Sequence, residues 1–396
     1  MVRIPGIENR ELEYPGIVIT ESSVTEKKDY MATANMISWM SQAKSHALAD
    51  TTVVDTDVHI TVEEETVAKY LDEPYRSSIT DSPHAMFPSS SWDQRMGGKI
   101  DDHFSTFTDP EDIQQFQSDF DIDYPIINTF EPLGKFPQPD LAMSLMRAYN
   151  DLLLDQFLDD YDFLGLAAVA TQKPEEAAAE IDRLSNEDGI VGIYIGTSGE
   201  YPPLGDPVND PIYRAAEDND LPVVFHGNGD EFMFDFPHHN KGFNNYFEVQ
   251  TLGHPWQQMA TMSSLLGEGV PAKFPDLNFV FLEAGIGWVP YMMHRMNKIY
   301  RMRRSEVPLL EKSPEEYIRD QFYIGSQPLG EPNTSDDMKR MIETLGADML
   351  MFATDYPHWD FDHLEELDKY LQHYFTEEER RKILYETPVE AFGLSL

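Results

Sequence analysis

The chain contains no cysteine. That removes disulfides, thiolate nucleophiles and Cys-based zinc or iron–sulfur sites together. Basic residues are scarce: 29 Lys plus Arg stand against 71 Asp plus Glu, a formal net charge of -42. No basic face can outweigh such a field, so nucleic acid and anionic membranes are not expected partners. Self-repulsion on this scale is costly in dilute salt and is screened in strong salt, which predicts a protein adapted to a high-salt interior. Disorder, the common reading of an acidic composition, conflicts with 41% hydrophobic and 12% aromatic residues. Long apolar runs are also missing; none approaches the ~18 residues of a membrane helix. No basic segment followed by an apolar core opens the chain, so cytoplasmic residence is the expectation.

What the chain does have is four short apolar runs, each ending on residues that can bind a metal. The first spans 53–60 and carries Asp57 and His59. The second, at 221–226, ends on His226, and the third, at 277–283, ends on Glu283. The fourth begins at Met349 and reaches Asp355 and His358. Continuous apolar runs of this length suit strands buried on both faces. Donors delivered from the C-terminal ends of parallel strands predict one site on one rim of a barrel. Asp57 and His59 are two apart, so an extended strand puts them on one face, with Asp55 sharing that parity one step deeper.

The 396 residues allow one large domain with insertions, or two domains. Residues 1–50 have no sustained period and read as an N-terminal arm, packed on the barrel or on a partner subunit. Residues 51–396 read as the barrel. Within it, strand-like and helix-like segments alternate at ~25 to 35 residues, as parallel α/β packing requires. Strands are expected near 122–128, 163–169, 189–195 and 322–325, and helices over 174–184, 210–219, 291–304 and 335–345. Two segments interrupt the alternation, 61–120 and 227–255, and read as insertions over the active rim. The first offers His84, Trp92 and His103 as substrate-facing candidates. In the second, His254 either opens a helix facing the site, caps that helix or packs on Trp256. Trp288, after the glycine-flanked turn at Gly285 and Gly287, either walls the pocket or joins the core.

Any single terminal His or Asp has an ordinary structural explanation, such as a helix cap. Six residues sharing one placement do not. Mixed carboxylate and imidazole donors suit zinc, manganese or iron, and an all-oxygen calcium or magnesium cage would not use three imidazoles. Such a metal activates water or holds a substrate oxygen, and Asp355 is the candidate to take the proton. Six donors exceed the needs of one four-coordinate ion, so one or two metals per chain remain open.

From about Thr52 onward the pattern resembles the amidohydrolase superfamily, in its amidohydrolase-2 group related to aminocarboxymuconate-semialdehyde decarboxylase. The resemblance rests on Asp57-x-His59, the strand ending in His226, the Phe274 to Leu277 approach and the Thr354 to His358 segment. It implies a distorted (β/α)8 TIM barrel with zinc held by Asp57, His59, His226 and Asp355. It implies a small-molecule substrate, with hydrolysis or non-oxidative decarboxylation of an organic acid, ester, lactone or amide, and Asp355 and His226 as catalytic residues. A homodimer is implied too. Two positions depart from the pattern: Asp57 stands where His is usual, and Glu283 ends the sixth strand where His is usual. Both harden the donor set toward manganese or iron. With His358, they also resemble dinuclear non-haem oxygenases of this superfamily. A metal-binding partner subunit of an active paralogue is the non-enzymatic alternative.

Overall fold

Eight parallel strands, each an apolar run, wrap in chain order into one sheet. The computed structural model describes residues 51–77, 108–128, 133–198, 200–227, 246–330, 334–358, 362 and 376–396. The strands are β1 Val54–His59, β2 Tyr124–Asn128, β3 Leu164–Ala168, β4 Ile190–Gly196, β5 Val223–His226, β6 Phe279–Leu282, β7 Phe322–Gly325 and β8 Leu350–Met351. Every neighbouring pair is parallel. The barrel closes from β8 onto β1 through Thr56 N–H to the Phe352 carbonyl at 3.1 Å, Asp355 N–H to the Asp57 carbonyl at 3.0 Å and His59 N–H to the Tyr356 carbonyl at 2.7 Å. The chain is therefore the distorted (β/α)8 barrel that the alternation predicts.

A side-chain period of two sorts each strand into an inner and an outer face. Val54, Ile126, Leu166, Tyr194, Val224, Val280, Leu282, Tyr323 and Met351 pack together inside the barrel. Ile127, Ile193, Val223, Phe225, Phe279, Phe281, Phe322 and Leu350 face outward and pack with the helices. At ~25 cal/mol per Å² of buried apolar surface, these two layers carry the fold. The inner parity then continues to Asn128, Gly196 and His226 at the rim.

Local signals place most helices where the sequence puts them. Pro174–Leu184 and Ser335–Leu345 match the expectation, and Asp210–Asp218 ends one residue early. Ser313 and Glu316 form a reciprocal capping box before Pro314–Gln321, and Thr376 and Glu379 do the same before Glu377–Arg381. Two expectations change. His254 does not open its helix: the helix runs Tyr246–Gly267, with Pro255 inside it. A proline suits a first turn, but here eight helical residues precede His254. The segment 227–255 is thus partly helix, and residues 228–245 lie outside the described residues. Likewise Pro110–Phe120, within the supposed 61–120 insertion, is the helix that leads into β2. Residues 1–50 and 78–107 lie outside the described residues. Among the described residues, no helix is long and apolar enough to cross a membrane.

Candidate metal centre

The site begins with an irregularity in β1. Three steps of β1, from Asp55 to Val58, run against two steps of β2, from Pro125 to Ile127. This bulge changes the parity of the strand. Val54 points into the barrel, and beyond the bulge Asp57 and His59 join the rim donors, while Asp55 does not share their cluster. The expected common face for all three therefore fails. Asp55 instead ties β1 to β8, accepting from Thr354 N at 3.0 Å, Thr354 Oγ1 at 2.6 Å and Asp57 N at 3.2 Å. Burial pushes its carboxyl up to about 7 against the pull of those bonds.

Five of the predicted donors are buried, and all six converge. Asp57, His59, His226 and Glu283 form one set of donors, and His59, Glu283, Asp355 and His358 form a second, each with its ligand atoms within 4.8 Å of one another. His59 Nε2 lies 3.3 Å from Asp57 Oδ1 and 2.8 Å from Asp355 Oδ1. His226 Nε2 lies 3.5 Å from Asp57 Oδ2 and 2.9 Å from Glu283 Oε2. His358 Nδ1 lies 2.5 Å from Asp355 Oδ1, and its side chain is 14% exposed, the most open of the six. Its ring lies over His59 at 4.3 Å between centroids.

Backbone geometry aims two of the carboxylates. Glu283 has φ 50° and Asp355 φ 66°, both in the left-handed region that non-glycine residues seldom enter. Glu283 directly follows Leu282, which points into the barrel. A regular strand would turn Glu283 outward, and the left-handed step brings its carboxylate to the rim. Strain at such a position costs ~1–3 kcal/mol and persists because the surroundings fix it.

The electrostatics follow from burial and mutual contact. Desolvation, then His358, holds His59 down at about 3. Desolvation also opposes charging of His226, but Asp57 and Glu283 outweigh it and raise its pKa well above the usual imidazole range. Burial opposes ionisation of Glu283 too, and His254 and His226 together hold its pKa well below the carboxylate range. Burial and the Glu283 charge push Asp355 up to about 6, against His358.

The remaining candidates divide. His254 reaches the site: its Nε2 is 2.9 Å from Glu283 Oε1, and its side chain is 5% exposed. Lying within the helix, it does not cap it. Trp288 joins the core. It is 5% exposed, packs edge-on against the outward-facing Phe281 and donates from Nε1 to the Gly285 carbonyl at 2.9 Å. The turn after β6 carries it into the layer between strands and helices. His84, Trp92 and His103 lie outside the described residues.

Three polar residues at the site were not singled out from the sequence. Asn128 donates from Nδ2 to Asp57 Oδ1 at 2.8 Å. Gln327 donates from Nε2 to Asp355 Oδ2 at 3.1 Å. Gln258 donates from Nε2 to the Phe225 and Leu282 carbonyls, each at 3.0 Å. Asn128 ends β2 and Gln327 follows β7, the same placement that drew attention to the donors. Gln258 lies one helical turn beyond His254, a spacing that shares a face.

The donor set fits a divalent cation. Asp57 Oδ2 and Glu283 Oε2 are buried, and both face His226 Nε2, at 3.5 and 2.9 Å. Leaving such oxygens dry is costly unless a positive centre meets them. Three carboxylates with three imidazoles suit zinc, manganese or iron.

A family model described as Amidohydrolase matches residues 136–394, well over half of the chain. That span includes His226, Glu283, Asp355 and His358 and begins after β1. A γ-resorcylate decarboxylase from Rhizobium sp. is 27% identical over 249 residues, covering 57% of this chain and 70% of the relative. A 2-amino-3-carboxymuconate-6-semialdehyde decarboxylase from Dictyostelium discoideum is 25% identical over 251 residues, covering 62% and 65%. Among solved structures, a 5-carboxyvanillate decarboxylase from Novosphingobium aromaticivorans with bound manganese has a TM-score of 0.67 at 20% identity, covering 87% of this chain and 98% of its own. The match of that family model over residues 136–394 places this chain in the amidohydrolase family.

Proposed function

We propose that this enzyme is a metal-dependent, non-oxidative decarboxylase of a small unsaturated or aromatic acid. The observation that carries the reading is the convergence of Asp57, His59, His226, Glu283, Asp355 and His358 on one buried rim position. The choice of decarboxylation over ester, lactone or amide hydrolysis leans on the relatives, which are named as decarboxylases. A bound divalent metal would supply charge stabilisation for a substrate carboxylate and its neighbouring oxygen. Asp57, His59, His226 and Asp355 would hold it, with Glu283 and His358 completing the shell. We put manganese ahead of zinc and iron, because three carboxylates make a hard donor set and related structures hold manganese.

The reaction breaks the bond between the ring or alkene carbon and the carboxylate. The electron pair stays on that carbon, carbon dioxide leaves, and the carbon takes a proton. Asp355 is the proposed donor. Its Oδ1 lies between His59 Nε2 and His358 Nδ1. His358, the most exposed of the six, would pass the replacement proton from solvent. His226, the other proposed catalytic residue, is held in place by its pairing with Asp57 and Glu283.

The test is a substrate panel given to manganese-loaded protein: hydroxybenzoates and unsaturated semialdehyde acids beside esters, lactones and amides, with carbon dioxide release recorded. Carbon dioxide from the acids supports the reading. Turnover of an ester, lactone or amide without it gives the site to hydrolysis. A second reading, a dinuclear iron or manganese oxygenase, is favoured by the two overlapping donor sets. Two metals per chain, with one lost in Glu283→Gln, would bring it forward.

The division at residue 50, a homodimeric state and adaptation to high salt are further parts of the proposal. The net charge of -42 motivates the last. An unfolding midpoint that fails to rise between about 0.1 M and about 2 M KCl would remove it.

A further inference from the structure

We infer that His254 is a positioning residue for Glu283: it fixes which oxygen of that carboxylate is offered to the metal. The inference rests on the metal-centre reading above. Glu283 divides its two oxygens between opposite neighbours. Oε2 faces the site, 2.9 Å from His226 Nε2 and 3.9 Å from His59 Nε2. Oε1 faces away, 2.9 Å from His254 Nε2. An imidazole N–H donated to one oxygen pins the carboxylate and leaves a single oxygen for coordination, as outer partners do at metal sites.

The helix carrying His254 is itself anchored at that spot. Gln258 bridges the ends of β5 and β6 through the Phe225 and Leu282 carbonyls. Gln257 Oε1 accepts from Thr197 Oγ1 at 3.0 Å, tying the helix to the end of β4. The close approach also needs a glycine. A Cβ on Gly227 would stand 2.7 Å from His254 Cδ2 and 3.0 Å from its Cα. His254 is thus held from both sides, and it meets Glu283 Oε1 where the left-handed backbone brings that carboxylate to the rim.

The test is metal affinity, read by competition with a fluorescent chelator on the full apo chain titrated with Mn²⁺ and Zn²⁺. His254→Phe keeps the bulk and loses the donor, and roughly 10- to 100-fold weaker binding is expected. His254→Gln restores an N–H and should recover most of the loss. Gly227→Ala removes no polar group and should weaken binding in the same direction. In the Glu283→Gln background, adding His254→Phe should change affinity less than twofold, because both act through one carboxylate. Circular dichroism of each apo variant separates loss of fold from loss of binding; if His254→Phe does not fold, the Gln and Gly227→Ala variants decide. Wild-type affinity in His254→Phe, His254→Gln no tighter than His254→Phe, or additive losses in the double variant would overturn the inference alone. A wild-type chain that binds neither metal overturns the metal centre and this inference together.

Discussion

Among the described residues, half of the strands of this barrel lead to the donor cluster and half do not. β1, β5, β6 and β8 lead to Asp57, His59, His226, Glu283, Asp355 and His358, whereas β2, β3, β4 and β7 end on Asn128, Ala168, Gly196 and Gly325. Both halves have the same inner apolar layer. The difference lies in how the buried polar atoms are met. Asn128 and Gln327 spend their amides on Asp57 and Asp355, so β2 and the residues after β7 serve the donors. The donor strands leave carboxylate oxygens facing imidazoles and one another, with two residues in left-handed backbone. The apolar half stabilises the fold, and the donor half spends part of that stability to keep a charged cluster dry. Functional sites commonly carry this cost.

Substitutions on the two sides should separate these roles. Asp355→Asn should produce the largest effect, a loss of roughly 10²- to 10⁴-fold in turnover with reduced metal uptake, measured by initial rates and elemental analysis. Unchanged turnover would remove Asp355 from the chemistry. Leu166→Ala on β3 should do the reverse: about 2–5 kcal/mol less stability in urea unfolding, with metal per chain unaltered. Metal lost from folded Leu166→Ala would dissolve the division between halves. Gln258→Leu, which strips two carbonyls of their donor, should cost about 1–3 kcal/mol. It should also weaken metal binding, since it loosens the helix bearing His254.

A pH slope supplies the last comparison. Asp55 is raised from 3.8 to about 7, so the fold binds an extra proton between those values. Its contribution to stability is present below about 4 and falls as pH rises toward 7, by at most ~1.4 kcal/mol per unit. Unfolding of the apo protein across this window should therefore show Asp55→Asn gaining on wild type as pH rises. Parallel curves would mean that the Thr354 bonds, rather than burial, govern Asp55.

Much of this was legible in the chain itself. Apolar runs of strand length, alternating with amphipathic segments, specify a parallel barrel because both faces of each strand must be buried. The rule that such barrels present their chemistry at the C-terminal rim then drew six donors into one place, and all six converge. Capping boxes at Ser313 and Thr376 join residues three apart and are local chemistry. Tertiary structure alone decided the rest. The bulge in β1 sends Asp55 to Thr354, since a parity argument assumes an unbroken register. The turn after β6 sends Trp288 into the helix layer, and an unusual φ brings Glu283 to the rim. His254 lies within its helix, and its contact with Glu283 depends on Gly227 and on anchors from three strands. Sequence period fixes which face of an element is buried; which atoms then meet is set by packing between elements far apart in the chain.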